Sequence, residues 1–180
     1  MGGDKTGCVC VMHKPYLIKG KVPKNMYRIG VDPYRHDSST GNSIGAVYVM
    51  ENPIRFTYYK GDKIVAWYTA RPEKQDEFNF NLFGLAKMYG CRIAPENDEP
   101  GDIVGYAKRK KLIKYLEDEF ELAYDSRIAT KKKTSGKYGM HIASGKDNLR
   151  KLQGDKYIQE WLMRIRGYDS EGNPIRNLHT

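Results

Sequence analysis

The chain has 180 residues and 20.7 kDa, with 31 Lys and Arg against 22 Asp and Glu, a formal charge of +9 and a pI near 9.3. That length fits one domain burying roughly two-thirds of its unfolded surface, and the positive balance favours a polyanionic partner such as nucleic acid. No window approaches the roughly 18 consecutive apolar residues of a membrane span, no charged-then-apolar leader opens the chain, and three cysteines are too few and too close for a disulfide framework, so a soluble intracellular protein is expected.

The first 25 residues, interrupted by two prolines, a glycine and several lysines in "KPYLIKGKVPKN", predict an irregular arm or short hairpin ahead of a domain spanning 26–180. In "GCVCVMH", Cys8, Cys10 and Met12 share one strand face. With His13 they could be imagined as zinc ligands, but a fourth ligand at recognisable spacing is missing, and they read as small buried strand residues. "MYRIGV" (26–31), "SIGAVYVM" (43–50) and "KIVAWYTA" (63–70) are rich in β-branched and aromatic residues and predict an antiparallel meander.

"EKQDEFNFNLFGLAKMYG" then changes period. It places Phe78, Leu82, Leu85 and Met88 on one helical face with Gly90 as C-cap, so its aromatics read as core rather than as a platform for bases. "CRIAP" (91–95) predicts a short buried strand, 103–116 a helix capped by Asp102, "FELAY" (120–124) a fifth strand, and 147–163 a last helix. The order fits an α/β ribonuclease H-like fold: a mixed five-stranded sheet, the antiparallel meander continued by parallel strands, flanked by helices. Periodicity alone also permits other α/β folds.

Asp32 closes the first meander strand and Glu96 directly follows the fourth strand. If those strands are neighbours, both carboxylates emerge at one end, held by rigid backbone yet open to solvent. Hard oxygen ligands at an open site favour Mg²⁺ or Mn²⁺, and two such ions can activate water and stabilise the leaving oxygen of a phosphodiester. Either acid alone is an ordinary turn residue; the pair points to chemistry.

The stretches "YRIGVDPYRHDSSTGNSIGAVYV" and "IVAWYTARPEKQDEFNFNLFGLAKMYGCRIAPEN" resemble the C-terminal nuclease domain of the large terminase subunit of tailed bacteriophages. The match runs from a strand ending in Gly-x-Asp-Pro, through a Trp-containing strand followed by Arg-Pro and a helix, to a strand ending in Glu-Asn. The resemblance implies metal-dependent cutting of concatemeric double-stranded DNA during packaging in the cytoplasm of an infected bacterium. It assigns Asp32 and Glu96 as catalytic metal ligands and Asp37 as a further catalytic aspartate that assists from nearby. It also implies an ATPase domain, a portal and a small terminase subunit as partners.

The family's third metal-binding acid has no match before "GYDSEGNPIRNLHT"; Asp169 is the nearest late acid but reads as a solvent turn, so a truncated nuclease domain is expected. No G-x-x-x-x-G-K-[ST] occurs, and "GMHIASGKD" has the wrong spacing, so ATP hydrolysis is not expected. For DNA contact the candidates are Lys131, Lys132, Lys133 and Lys137 in a basic, glycine-containing segment, and Lys108 and Arg109 in a basic run on a helix. Competing readings are a resolvase- or transposase-type nuclease, a phosphate-binding domain of the actin and Hsp70 type using "DPYRHDSSTGNS", and a catalytically incomplete DNA-binding or assembly module.

Overall fold

The computed structural model describes residues 7–34, 44–52, 63–96, 101–118, 138–139 and 149–176. The three runs with β-branched and aromatic character form strands β2 (Tyr27–Asp32), β3 (Gly45–Glu51) and β4 (Ile64–Ala70), each paired antiparallel with the next. A further strand, β1 (Val9–Val11), lies within the segment expected as an arm and pairs antiparallel with β4. The sheet order is β1-β4-β3-β2.

This corrects the expected ribonuclease H-like fold with a mixed five-stranded sheet. Every ladder of the described sheet is antiparallel, and it has four strands. The "CRIAP" segment does not become a strand. Ile93 makes only single parallel bridges, to Ile29 on one side and to Leu116 on the other. Pro95, two residues on, has no N–H to donate, which limits the ladder that this short segment can build. The expected fifth strand at 120–124 lies outside the described residues.

Helix α1 (Gln75–Tyr89) buries Phe78, Leu82, Phe83, Leu85, Ala86 and Tyr89. Each large apolar side chain so buried contributes roughly 1.5–3 kcal/mol. Phe78 meets Tyr34 edge-on and lies beside Tyr68 in the sheet, while Phe83 stacks on Tyr106 of α2 (Gly101–Arg109). One member of the expected apolar face, Met88, is exposed, and so is Phe80, one of the aromatics read as core. Gly90 ends α1 in the left-handed region, and the Gly90 and Cys91 N–H groups close back on the Lys87 and Ala86 carbonyls.

α2 is shorter than the helix expected over 103–116 and starts before Asp102 rather than after it. It stops because Lys111 takes a positive φ and the Lys111 and Leu112 N–H groups return to Lys108 and Ala107, the closure that glycine makes after α1. A short 3-10 helix, Ile113–Tyr115, follows. Near the C-terminus, α3 (Leu149–Met163) leads into a hairpin of β5 (Ile165–Tyr168) and β6 (Pro174–Arg176). Among the described residues, none of these last three elements contributes to the buried core.

Gly45 shows how tightly α1 seats on the sheet. A Cβ there would lie 2.6 Å from the Phe78 ring and 2.9 Å from the Tyr34 ring. Both rings are buried and cannot swing aside. Gly45→Ala is therefore expected to destabilise the fold by about 1–3 kcal/mol through overpacking. Urea unfolding followed by far-UV circular dichroism measures it; an unchanged midpoint would show that the helix-to-sheet contact is looser than described.

Candidate functional site

Asp32 is the last residue of β2 and is exposed, opposite Ala46 of β3. Glu96 is exposed at the end of the segment that follows α1. Along 91–96 burial alternates, with Cys91, Ile93 and Pro95 inside and Arg92 and Glu96 outside, the period of an extended chain. The parallel bridge between Ile29 and Ile93 sets this segment beside β2, and Asp32 and Glu96 each lie three positions past their member of that bridge. Neighbouring strands run about 4.8 Å apart, so the register carries both acids toward the same edge.

Two backbone bonds hold that register from the far side: Ile93 N–H donates to the Tyr115 carbonyl at 2.7 Å, and Glu117 N–H donates to the Ile93 carbonyl at 2.8 Å. A side-chain tie crosses the same three segments. Arg28 of β2 donates to the Glu117 carboxylate at 3.3 Å, and Glu117 is buried. The pair is part-buried, with the Arg28 side chain 39% exposed, so it is removal of Arg28 that would be costly, leaving the buried Glu117 charge without this compensation. The pair joins residues 89 positions apart, so spacing along the chain gave no sign of it.

The described end of the basic segment is anchored here too. Tyr138 bridges Asp118, and Gly139 N–H donates to the Glu117 carbonyl at 2.9 Å. Gly139 has φ +84 and sits so close to Pro95 that an added Cβ would lie 1.9 Å from the Pro95 carbonyl oxygen. Only glycine fits that backbone contact. Lys137 is thus adjacent in sequence to residues packed one position from Glu96.

The remaining candidates are distributed as follows. Asp37, Lys131, Lys132, Lys133 and Lys137 lie outside the described residues. Lys108 is exposed near the end of α2, while Arg109 donates to Asp76 of α1 at 2.9 Å, so its guanidinium is engaged between two helices. Asp169 is committed to its hairpin turn: its carboxylate accepts from the Asn173 and Glu171 N–H groups at 2.8 and 2.9 Å and from the Asn173 amide at 3.1 Å. The Asn173 backbone bond, first among these, holds the carboxyl below the usual aspartate range.

Among the described residues no group of three or more His, Cys, Asp or Glu gathers around one point. Cys8 is exposed and Cys10 half-buried, their sulfurs 3.8 Å apart, which corrects the reading of both as buried strand residues: Cys8 precedes and Cys10 lies in β1, an edge strand among the described residues. Cys91 is buried, and desolvation pushes its thiol up to about 12. No described helix is long and apolar enough to cross a membrane. No protein-family model, curated protein or solved structure significantly matches the chain.

Gly139→Ala tests the anchor. It meets both the steric contact with Pro95 and the strain of a positive φ, and is expected to destabilise the protein by more than about 1 kcal/mol. Hydrogen exchange should show the largest loss of protection at the Glu117 and Gly139 amides. Unchanged exchange at both would mean that the segment is not seated against Pro95.

Proposed function

We propose that the chain is a metal-dependent DNA endonuclease, with Asp32 and Glu96 jointly holding a divalent cation at the scissile phosphodiester. The observation that carries this reading is the parallel Ile29–Ile93 bridge, which brings two exposed carboxylates toward one edge of the sheet. The donor set suits Mg²⁺ or Mn²⁺: hard oxygens on two exposed side chains, each three residues past the Ile29–Ile93 bridge. A cation held by Asp32 and Glu96 would supply a Lewis acid for the phosphoryl oxygen and activation of the attacking water.

The chain's own contribution is positional and electrostatic. Asp32 and Glu96 carry the negative charge that attracts the cation; without it they repel each other. Lys108 and the lysines at 131–133 and 137 supply charge for phosphate contacts that orient DNA without reading its sequence. Asp37, five residues after Asp32, is assigned an assisting role by the motif resemblance alone. That resemblance extends the proposal to cutting of concatemeric double-stranded DNA in a packaging motor, alongside an ATPase domain, a portal and a small terminase subunit in an infected bacterium. With two described carboxylates, a second cation would bind poorly, so Mn²⁺ should serve better than Mg²⁺ because it tolerates imperfect geometry.

Asp32→Asn and Glu96→Gln should each abolish metal-dependent nicking of plasmid DNA while leaving the melting temperature unchanged or raised, because each keeps the shape and removes one of two like charges. Full cleavage by either variant would refute the assignment. Binding of duplex with no cleavage by the native chain in Mg²⁺ or Mn²⁺ would leave a DNA-binding module instead.

A further inference from the structure

Gly30 occupies the middle of β2, has no positive φ and is exposed. A Cβ added there would meet nothing within 4 Å. Neither packing nor backbone conformation requires glycine at this point, and glycine weakens a strand interior. A glycine that the fold does not need marks a place where something else approaches the backbone closely.

What surrounds it indicates the visitor. Gly30 pairs with Tyr48, Tyr48 with Trp67, and Trp67 with Cys10, so these four form one row across the sheet. The row lies on the face turned away from α1, since Ile29, Val47, Val49 and Tyr68, which alternate with it, are in the core. Tyr48 is 42% exposed and Trp67 half-buried, leaving aromatic surface on the open face beside the gap over Gly30. By the same alternation Arg28 and Asp32 flank Gly30 on that face, and Arg92 and Glu96 project from the neighbouring segment.

We infer that the open sheet face at Gly30, Tyr48 and Trp67 is a stacking platform for a base of an unpaired DNA strand, next to the Asp32 and Glu96 carboxylates. A base is flat enough to lie over Gly30 and stack against Tyr48, and a phosphate-bearing strand matches a chain of charge +9. The inference rests on the proposed nuclease reading for the choice of DNA, and gives that reading a strand-separated substrate at the point of cutting.

The test is anisotropy of a fluorescein-labelled oligothymidine strand titrated with the full chain in EDTA, where cleavage is silent. The native chain should prefer oligothymidine over an abasic strand with the same phosphates. Gly30→Val, whose Cβ would meet nothing within 4 Å, should leave the melting temperature unchanged or raised yet weaken oligothymidine binding by about tenfold or more. Tyr48→Thr, suited to a strand, should weaken it about 5- to 100-fold, and Tyr48→Phe should retain it. Equal affinity for the abasic strand, or native affinity in a folded Gly30→Val variant, would overturn the platform. Because no metal is present, failure of Asp32 and Glu96 as ligands would leave this result standing, and failure of the platform would leave metal-dependent nicking untouched.

Discussion

Ile93 is the residue on which the arrangement depends. It is fully buried, its backbone bridges Ile29 and Leu116 on either side, and it sits between an N–H bond to Tyr115 and a carbonyl bond from Glu117. A segment so short, ending in a proline, has little propensity to stay extended on its own. It is held because its side chains alternate between core and solvent and because both flanking backbones are themselves fixed, β2 by its full ladder with β3 and 113–117 by the turn that ends α2. The shared edge of Asp32 and Glu96 follows from that one position, and Gly139 seats against Pro95 two residues beyond it.

Charge explains why the edge stays usable. The exposed edge carries Asp32 and Glu96, with Glu117 buried nearby, in a protein whose net charge is strongly positive. Glu117 is neutralised inward by Arg28, which also locks β2 to the segment two positions away. Asp32 and Glu96 lie outside that pairing, where water solvates them and a cation would be attracted by both. With a cation bound, the edge would no longer repel phosphate.

Much of this was legible in the sequence, for identifiable reasons. The meander showed through β-branched and aromatic runs, α1 through a clear change of period and Gly90, and the acid pair through its place at the ends of apolar runs. What was not legible depends on partners rather than patterns. The strand read in "GCVCVMH" is β1, but its pairing with β4 could not be read from the sequence. α2 ends at a lysine in a conformation that usually announces itself with glycine. The fifth-strand expectation treated two short apolar runs as equals of the meander strands, whereas 91–95 forms single bridges and 120–124 lies outside the described residues. Met88 followed the helical period yet is exposed, and Phe80, two residues from Phe78, lies off the buried face of α1.

The central claim is that Asp32 and Glu96 share one cation, and anomalous diffraction from crystals grown with Mn²⁺ tests it most directly. The account predicts a Mn²⁺ peak at the edge beyond the Ile29–Ile93 bridge, with carboxylate oxygens of both residues within about 2.0–2.6 Å of it. A peak touching only one of the two, or full occupancy elsewhere with this edge empty at millimolar-scale metal, would contradict it.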